Sequence, residues 1–381
     1  MTKSVAFKVS ALTAAAILST AAHASPNLSG GVWFNYQYAQ NDKAQQESWG
    51  VIDSEALILY ADGNVPDTPW TYSAETRIGP GSFTDANNNS TGSQFGIHKA
   101  WVGYQFEDGP MITIGKSQVP FAWKTYNFWP GDMLLAGYGD QMDVGVKVSQ
   151  TLGALHYDAA LYLADDWSTS TDTMDDNGHW GSKATYRKVQ TFVGNLSYSI
   201  NDMATVGVSA QSGGLQAFEG NETDGYSATE VSGDHNAAAL YYTLKVGGLW
   251  AKASYITTER NVPEESAGDV YADGDGALAG LNAKNDRYAA EVGLNTGNWS
   301  FYADLSYAQP NTDGSNVDTV RAFAPGMSYD YGPGWIYLEY LTQDGYVDRN
   351  GQVQDQYFDE DLNPTGPGDF DALYATVDFY F

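Results

Sequence analysis

The chain has 381 residues, 18 Lys and Arg against 47 Asp and Glu for a formal net charge of −29, 14% aromatic residues and no cysteine. Such an acidic chain repels polyanions, which excludes nucleic acid as a partner because its binding rests on Lys and Arg neutralising phosphates. Without cysteine there is no disulfide framework, no Cys-ligated zinc or iron–sulfur cluster and no thiol nucleophile, and 27 Tyr supply far more burial than a disordered tail carries.

The first segment reads as an address. Lys3 and Lys8 precede an apolar stretch from Val9 to Ala22 that ends in Ala22-His23-Ala24, the small-x-small pattern of a secretory cleavage site. Residues 1–24 are therefore expected to be a cleaved signal peptide, with 25–381 forming one domain. A retained membrane helix is the weaker alternative, since the stretch falls short of the ~20 apolar residues a span needs. The longest later apolar run, Ala237 to Tyr242, is shorter still.

From there on, segments of ten or so residues alternate apolar and polar with period two and break at Gly, Asn, Asp and Pro, the pattern of β-strands. Sixteen are predicted, over 28–40, 51–61, 70–79, 94–106, 111–119, 142–150, 154–165, 189–200, 203–213, 235–245, 248–258, 286–296, 298–308, 318–330, 334–343 and 370–381. In one of them Trp299, Phe301, Ala303, Leu305 and Tyr307 point one way while Ser300, Tyr302, Asp304 and Ser306 point the other. From the fourth strand on, the connections alternate between short and long. Glu107-Asp108-Gly109-Pro110, Thr151-Leu152-Gly153, Asn201-Asp202, Val246-Gly247, Gly297 and Tyr331-Gly332-Pro333 are short; 120–141, 166–188, 214–234, 259–285, 309–317 and 344–369 are long. Tight turns at one end and long loops at the other are what a membrane-spanning barrel requires, because lipid tolerates no unpaired backbone. A soluble sandwich or solenoid lacks that asymmetry.

The last segment, Asp371 to Phe381, alternates apolar side chains at 373, 375, 377, 379 and 381 and stops on Phe. With its closing Phe379 and Phe381 it resembles the carboxy-terminal β-signal by which the barrel assembly machinery recognises outer-membrane proteins. Length, strand number and this end make the whole mature chain resemble a bacterial porin. A closer likeness lies in Ile114-Gly115-Lys116-Ser117-Gln118-Val119-Pro120-Phe121, then Asp143-Val144-Gly145-Val146-Lys147, then Leu155 to Tyr162, which is similar to the phosphate-selective porin O and P family. The resemblance implies a 16-stranded antiparallel transmembrane β-barrel with short periplasmic turns, long extracellular loops and an in-folded third loop, assembled as a homotrimer in the outer membrane. That family's selectivity relies on a ladder of arginines, whereas this chain has six, at 77, 187, 260, 287, 321 and 349.

If the apolar face meets lipid, the other face lines a lumen. Its expected basic residues are Arg77, Lys99, Lys116, Lys147, Lys245, Lys252, Arg287 and Arg321; its acidic ones are Asp53, Glu55, Glu75, Asp143, Asp158, Glu291, Asp304, Glu339 and Asp378. Mixed charge of this kind describes a wetted channel, and most of these groups are expected to pair with one another. Lys99 and Arg77 stand out, on neighbouring strands among Glu55, Glu75 and Lys116, because charge patches set ion preference in channels. The third loop, 120–141, holds six aromatics, too many for an exposed loop. Lys124, Asp132 and Asp140 are expected to face a constriction, with Trp123, Phe128 and Trp129 anchoring the loop or forming a slide for sugars; anchoring is the simpler reading.

The other long loops carry much of the negative charge, which would steer cations, bridge to lipopolysaccharide through divalent ions, or keep the loops soluble. Asp269-x-Tyr271-x-Asp273-Gly274 begins like a calcium loop, but Gly280 stands where its twelfth ligand belongs, so no metal site is assigned. His156 and Asp158 share the inward face and raise the thought of a barrel hydrolase, yet no G-x-S-x-G, H-E-x-x-H or P-loop pattern is present. The expected function is a non-enzymatic, cofactor-free channel for passive diffusion of small hydrophilic solutes and ions, weakly cation-leaning. A channel biased toward phosphate-like anions or sugars is one alternative, and a surface-binding barrel without conductance is another.

Overall fold

A computed structural model of the chain describes residues 27–80, 95–128, 142–163, 186–221, 225–262, 282–347, 351–358 and 364–381. The expected signal peptide lies outside them. The strands are β1 (Asn27–Ala39), β2 (Val51–Asn64), β3 (Trp70–Ile78), β4 (Phe95–Gln105), β5 (Met111–Gln118), β6 (Met142–Leu152), β7 (Leu155–Tyr162), β8 (Tyr186–Asn201), β9 (Ala204–Asn221), β10 (Gly225–Val246), β11 (Leu249–Asn261), β12 (Asn282–Thr296), β13 (Trp299–Pro310), β14 (Val320–Asp330), β15 (Trp335–Gln343), and, beyond the last loop, β20 (Phe370–Tyr380). Each pairs antiparallel with its neighbour in sequence, and β20 returns to β1 through Gly31↔Tyr380 to Ala39↔Ala372. These sixteen strands form a closed barrel with no free edge.

Period two decides which side each residue takes. On β12, Tyr288, Val292 and Leu294 are exposed on the outer face, while Arg287, Ala289 and Glu291 between them are buried on the inner one. β13 repeats the split, with Phe301, Leu305 and Tyr307 outside and Tyr302, Asp304 and Ser306 inside. Aromatics gather on the outer face beside the short turns. Trp299 packs on Tyr329 with ring centroids 4.6 Å apart, and Trp70 on Tyr104 at 4.9 Å. An apolar outer belt closed by an aromatic girdle is the surface a bilayer selects. No helix among the described residues is long and apolar enough to cross a membrane; the crossing is made by strands.

Four of the short turns, after β6, β8, β10 and β12, are two-residue hairpins, a loop length that favours a left-handed residue. Gly153 and Gly247 supply it at φ 63° and 60°. At the other end the connections are built up. Asp42 caps a short helix, α1 (Lys43–Ser48), accepting from the backbone N–H of Ala44 at 2.8 Å and of Gln45 at 3.2 Å. The region 214–234, expected as a loop, is instead largely paired, since β9 and β10 continue their ladder to Asn221↔Gly225. Register shifts between Ala228 and Val231 and between Val231 and Gly233 dislocate the alternation there and hide the strand from a period-two reading.

The last loop also gains structure. Two small ribbons, β16 (Tyr346–Val347) with β17 (Val353–Gln354) and β18 (Gln356–Phe358) with β19 (Pro364–Pro367), fill it. Val347 and Val353 pack onto inward side chains of the wall, Ala308, Val320, Ala322, Leu341 and Ala372. The Asn285 side-chain amide donates to the Gly351 carbonyl. The loop therefore folds into the extracellular half of the barrel over β13–β15 and β20, and the interior is apolar there rather than uniformly wetted.

Candidate functional site

The third loop enters the barrel. Its described part alternates like a strand: Phe121, Trp123, Thr125 and Asn127 are buried, while Lys124 and Tyr126 are exposed. Phe121 and Trp123 of the buried row pack with Ala160, Tyr162, Val193, Ala237, Ala239, Tyr241 and Ile256 of the inner wall. The loop is hydrogen-bonded to several strands around the circumference. Ala122 N–H donates to Ser209 Oγ at 3.0 Å on β9, and Trp123 Nε1 to the Ala253 carbonyl at 3.2 Å on β11. Two carboxylates on the wall then take backbone amides: Tyr126 N–H donates to Glu291 Oε1 at 2.6 Å and Phe128 N–H to Glu339 Oε1 at 2.7 Å. The Phe128 ring meets Trp33 edge-on at 5.5 Å and Tyr337 at 5.1 Å. A segment that leaves β5 thus reaches β15 and β1 across the lumen.

These contacts pack Trp123 and Phe128 against the wall, and among the described loop residues Lys124 and Tyr126 are exposed. Trp129, Asp132 and Asp140 lie outside the described residues, as does the side chain of Asp53. Lys252 ties the arrangement together. Its Nζ sits 3.0 Å from Glu291 Oε2, donates to the Lys124 carbonyl at 2.9 Å and stands 5.1 Å from the Trp123 ring. Sequence reasoning named Glu291, Glu339 and Lys252 as inward charges but not as holders of the loop. Their only signal was a carboxylate or ammonium in an otherwise apolar–small row.

On the wall opposite, basic groups converge. Glu75 and Lys99 are cross-strand partners, and the register slips between Glu75 and Thr76, leaving His98 at a bulge. His98 lies within electrostatic reach of Arg77, Lys124, Lys116 and Lys99. Arg77 Nε is 2.8 Å from Glu75 Oε1, its guanidinium lies over Trp33 at 5.0 Å, and Lys99 Nζ is 3.9 Å from Asp62. Lys116 is buried just after Gly115, whose φ of 121° interrupts the alternation. Lys147 donates to the Gln118 carbonyl at 2.9 Å, and Arg287 Nε to Asn285 Oδ1 at 2.6 Å.

Two expected lumen residues lie elsewhere. Glu55 is exposed and shares its parity with the outward Leu57 and Leu59. The register slip between Trp33 and Asn35 of β1 inserts an extra β2 residue there and shifts the row by one. Arg321 is exposed opposite the outward Tyr307 and beside the outward Phe323. On β14 the inward row is Val320, Ala322 and Ala324, so small apolar residues beneath the last loop, not the arginine, face in.

His156 and Asp158 do meet, at 3.1 Å. Asp158 also accepts from Ser149 Oγ at 2.6 Å and Asn195 Nδ2 at 3.0 Å, and the other His156 nitrogen is 2.9 Å from Thr151 Oγ1. Asn195 in turn accepts from Ser209 Oγ at 2.9 Å and Tyr241 OH at 2.8 Å. This network runs from the wall to the third loop and is a scaffold for it.

No family model matches the chain. Among curated proteins, a putative cathepsin L 3 of Paramecium tetraurelia is 25% identical over 116 residues, 29% of this chain and 36% of that protein; the match spans about a third of that relative's length. Among solved structures, the outer-membrane-expressed OmpT of Vibrio cholerae superposes with a TM-score of 0.59 at 12% identity, covering 94% of this chain and 98% of that one. OmpF of Salmonella typhi, in complex with daunomycin, gives 0.59 at 11% identity over 93% and 97%. An anion-selective porin from Comamonas acidovorans gives 0.54 at 11% over 94% and 100%. At these identities the likeness is one of fold, and the fold is that of outer-membrane porins. A closed barrel of this kind with an apolar outer belt resides in the bacterial outer membrane.

Proposed function

We propose that the protein is a channel through which small hydrophilic solutes and ions diffuse passively, narrowed by its third loop and weakly cation-leaning. The observation that carries this is the inverted barrel, apolar outside and lined inside by charged and hydroxylated groups, with a loop that crosses the lumen while presenting Lys124 and Tyr126 to open space. Cation preference follows from the net charge of −29, much of it in the long loops, acting over a Debye length of ~8 Å at physiological salt. Liposomes containing the protein should swell in isosmotic pentose or hexose and progressively less in larger oligosaccharides. Equal exclusion of all of them would overturn the proposal.

A second reading has its own support. Lys116 and Lys124 lie near His98 together with Arg77 and Lys99, which are ion-paired with Glu75 and Asp62; this concentration of basic groups by the third loop would favour phosphate-like anions, in keeping with the likeness to the phosphate-selective porins. Current block by millimolar phosphate, absent with chloride, would favour it. The channel reading also carries export with cleavage after Ala24, recognition of Phe379 and Phe381 by the barrel assembly machinery, and a homotrimer set among outer-membrane lipid and lipopolysaccharide. Phe379 and Phe381 are exposed on the outer face, where an assembly factor would meet them. Catalysis has no place in it.

A further inference from the structure

Between the third loop and the short turns lies a cavity of about 520 Å³. It is bordered by Tyr126 of the loop, Lys245 of β10, Trp250 and Lys252 of β11, Asn295 of β12 and Asp202 of the β8–β9 turn. Lys245, Trp250 and Asn295 each stand one residue from the turn end of their strands, so the cavity opens at the periplasmic end of the barrel.

Its roof is a fixed aromatic ring. Tyr126 is held by its backbone N–H on Glu291 at 2.6 Å and its hydroxyl on Ser300 Oγ at 3.1 Å, with ring centroids 4.9 Å from Trp250 and 4.8 Å from Tyr302. Yet the residue keeps 36% of its surface exposed. A ring locked in orientation with accessible surface is a preorganised stacking platform. The charges beside it are unequal. Lys252 is neutralised by Glu291 at 3.0 Å and occupied by the Lys124 carbonyl. Lys245 is exposed in the cavity and makes no ion pair within the described residues. Asp202 on the same border disfavours a second negative group.

We infer that this cavity is a binding site for a small solute carrying one ring and one anionic group, its ring on Tyr126 and its anion on Lys245 Nζ. The site names a solute class for the channel and rests on that reading only for how the solute arrives. Saturation-transfer NMR on the full chain in detergent micelles, with benzoate, benzyl alcohol and acetate as probes, tests it without requiring conductance. Benzoate should bind more tightly than either of the others. Lys245→Gln should weaken benzoate by roughly fivefold, the scale of an exposed ion pair, and leave benzyl alcohol unchanged, while Tyr126→Leu should weaken both. Lys245 is exposed and at a strand end, so its variant folds even if the Tyr126 variant does not. Undetectable benzoate binding, or equal benzoate affinity in wild type and Lys245→Gln, would overturn the site. A protein that conducts without binding benzoate would defeat this inference alone; one that binds benzoate without conducting would defeat the channel reading alone.

Discussion

Glu291 and Glu339 hold the third loop by its backbone rather than its side chains, so the loop's position depends on two carboxylates 165 and 211 residues away in sequence. A charge-assisted hydrogen bond is worth ~2 kcal/mol, and losing it leaves a partly buried amide unsatisfied. Glu291→Ala and Glu339→Ala should therefore loosen the loop and raise open-channel noise in single-channel recordings, the double variant more than either single one. Noise unchanged in the double variant would mean that Phe121, Trp123 and Phe128 suffice as anchors. On β5, across the barrel from these carboxylates, close backbone approach requires a glycine. A Cβ on Gly115 would lie 2.3 Å from the Ala100 carbonyl oxygen, whereas one on Gly194 meets nothing within 4 Å. Gly115→Ala should reduce the fraction of heat-modifiable folded barrel on a cold gel, and Gly194→Ala should leave it intact.

Among elements, the last loop is the one whose role the fold adds. Because Val347 and Val353 bury themselves on Leu341, Ala308 and Ala372, the ribbon β16–β17 occupies lumen on one side of the barrel. Replacing residues 345–357 by a short Gly-Ser linker should raise single-channel conductance while the barrel still folds; an unchanged conductance would place the limiting aperture wholly at the third loop. Strands were legible in the sequence where alternation was unbroken, as in β3, expected over 70–79 and found as Trp70–Ile78, or β15, expected over 334–343 and found as Trp335–Gln343. They were illegible where a bulge shifts the parity. One displaced residue turned Glu55 out of the lumen, and the slips near Val231 concealed the upper half of β10. The third loop's aromatics announced burial, but no local pattern could reveal which distant wall residues receive it. Nor could period two distinguish an inward row that meets water from one that meets a loop, which is why Val320, Ala322 and Leu341 were not foreseen as a packing surface.

At the scale of the molecule, outer and inner faces exchange the roles they have in a soluble protein, and stability should respond accordingly. Leu305, outward on β13 and paired with Ala290 and Phe323, is expected to lie within the hydrocarbon. Leu305→Arg should cost roughly 2–4 kcal/mol of folding free energy if it sits near the midplane, falling toward zero at the interface, as read by denaturant titration in lipid vesicles. In the proposed channel two opposing fields would act on a permeating ion, from the acidic long-loop sequences and from Lys116 and Lys124 with the ion-paired Arg77 and Lys99. The most direct test of the whole account is the single-channel current and reversal potential of the purified protein in a planar bilayer across a tenfold KCl gradient. Discrete, ohmic conductance steps are predicted, with a reversal potential displaced modestly toward the potassium equilibrium potential. No conductance would contradict the channel, and a reversal potential displaced toward chloride would contradict its cation preference and give those basic groups control.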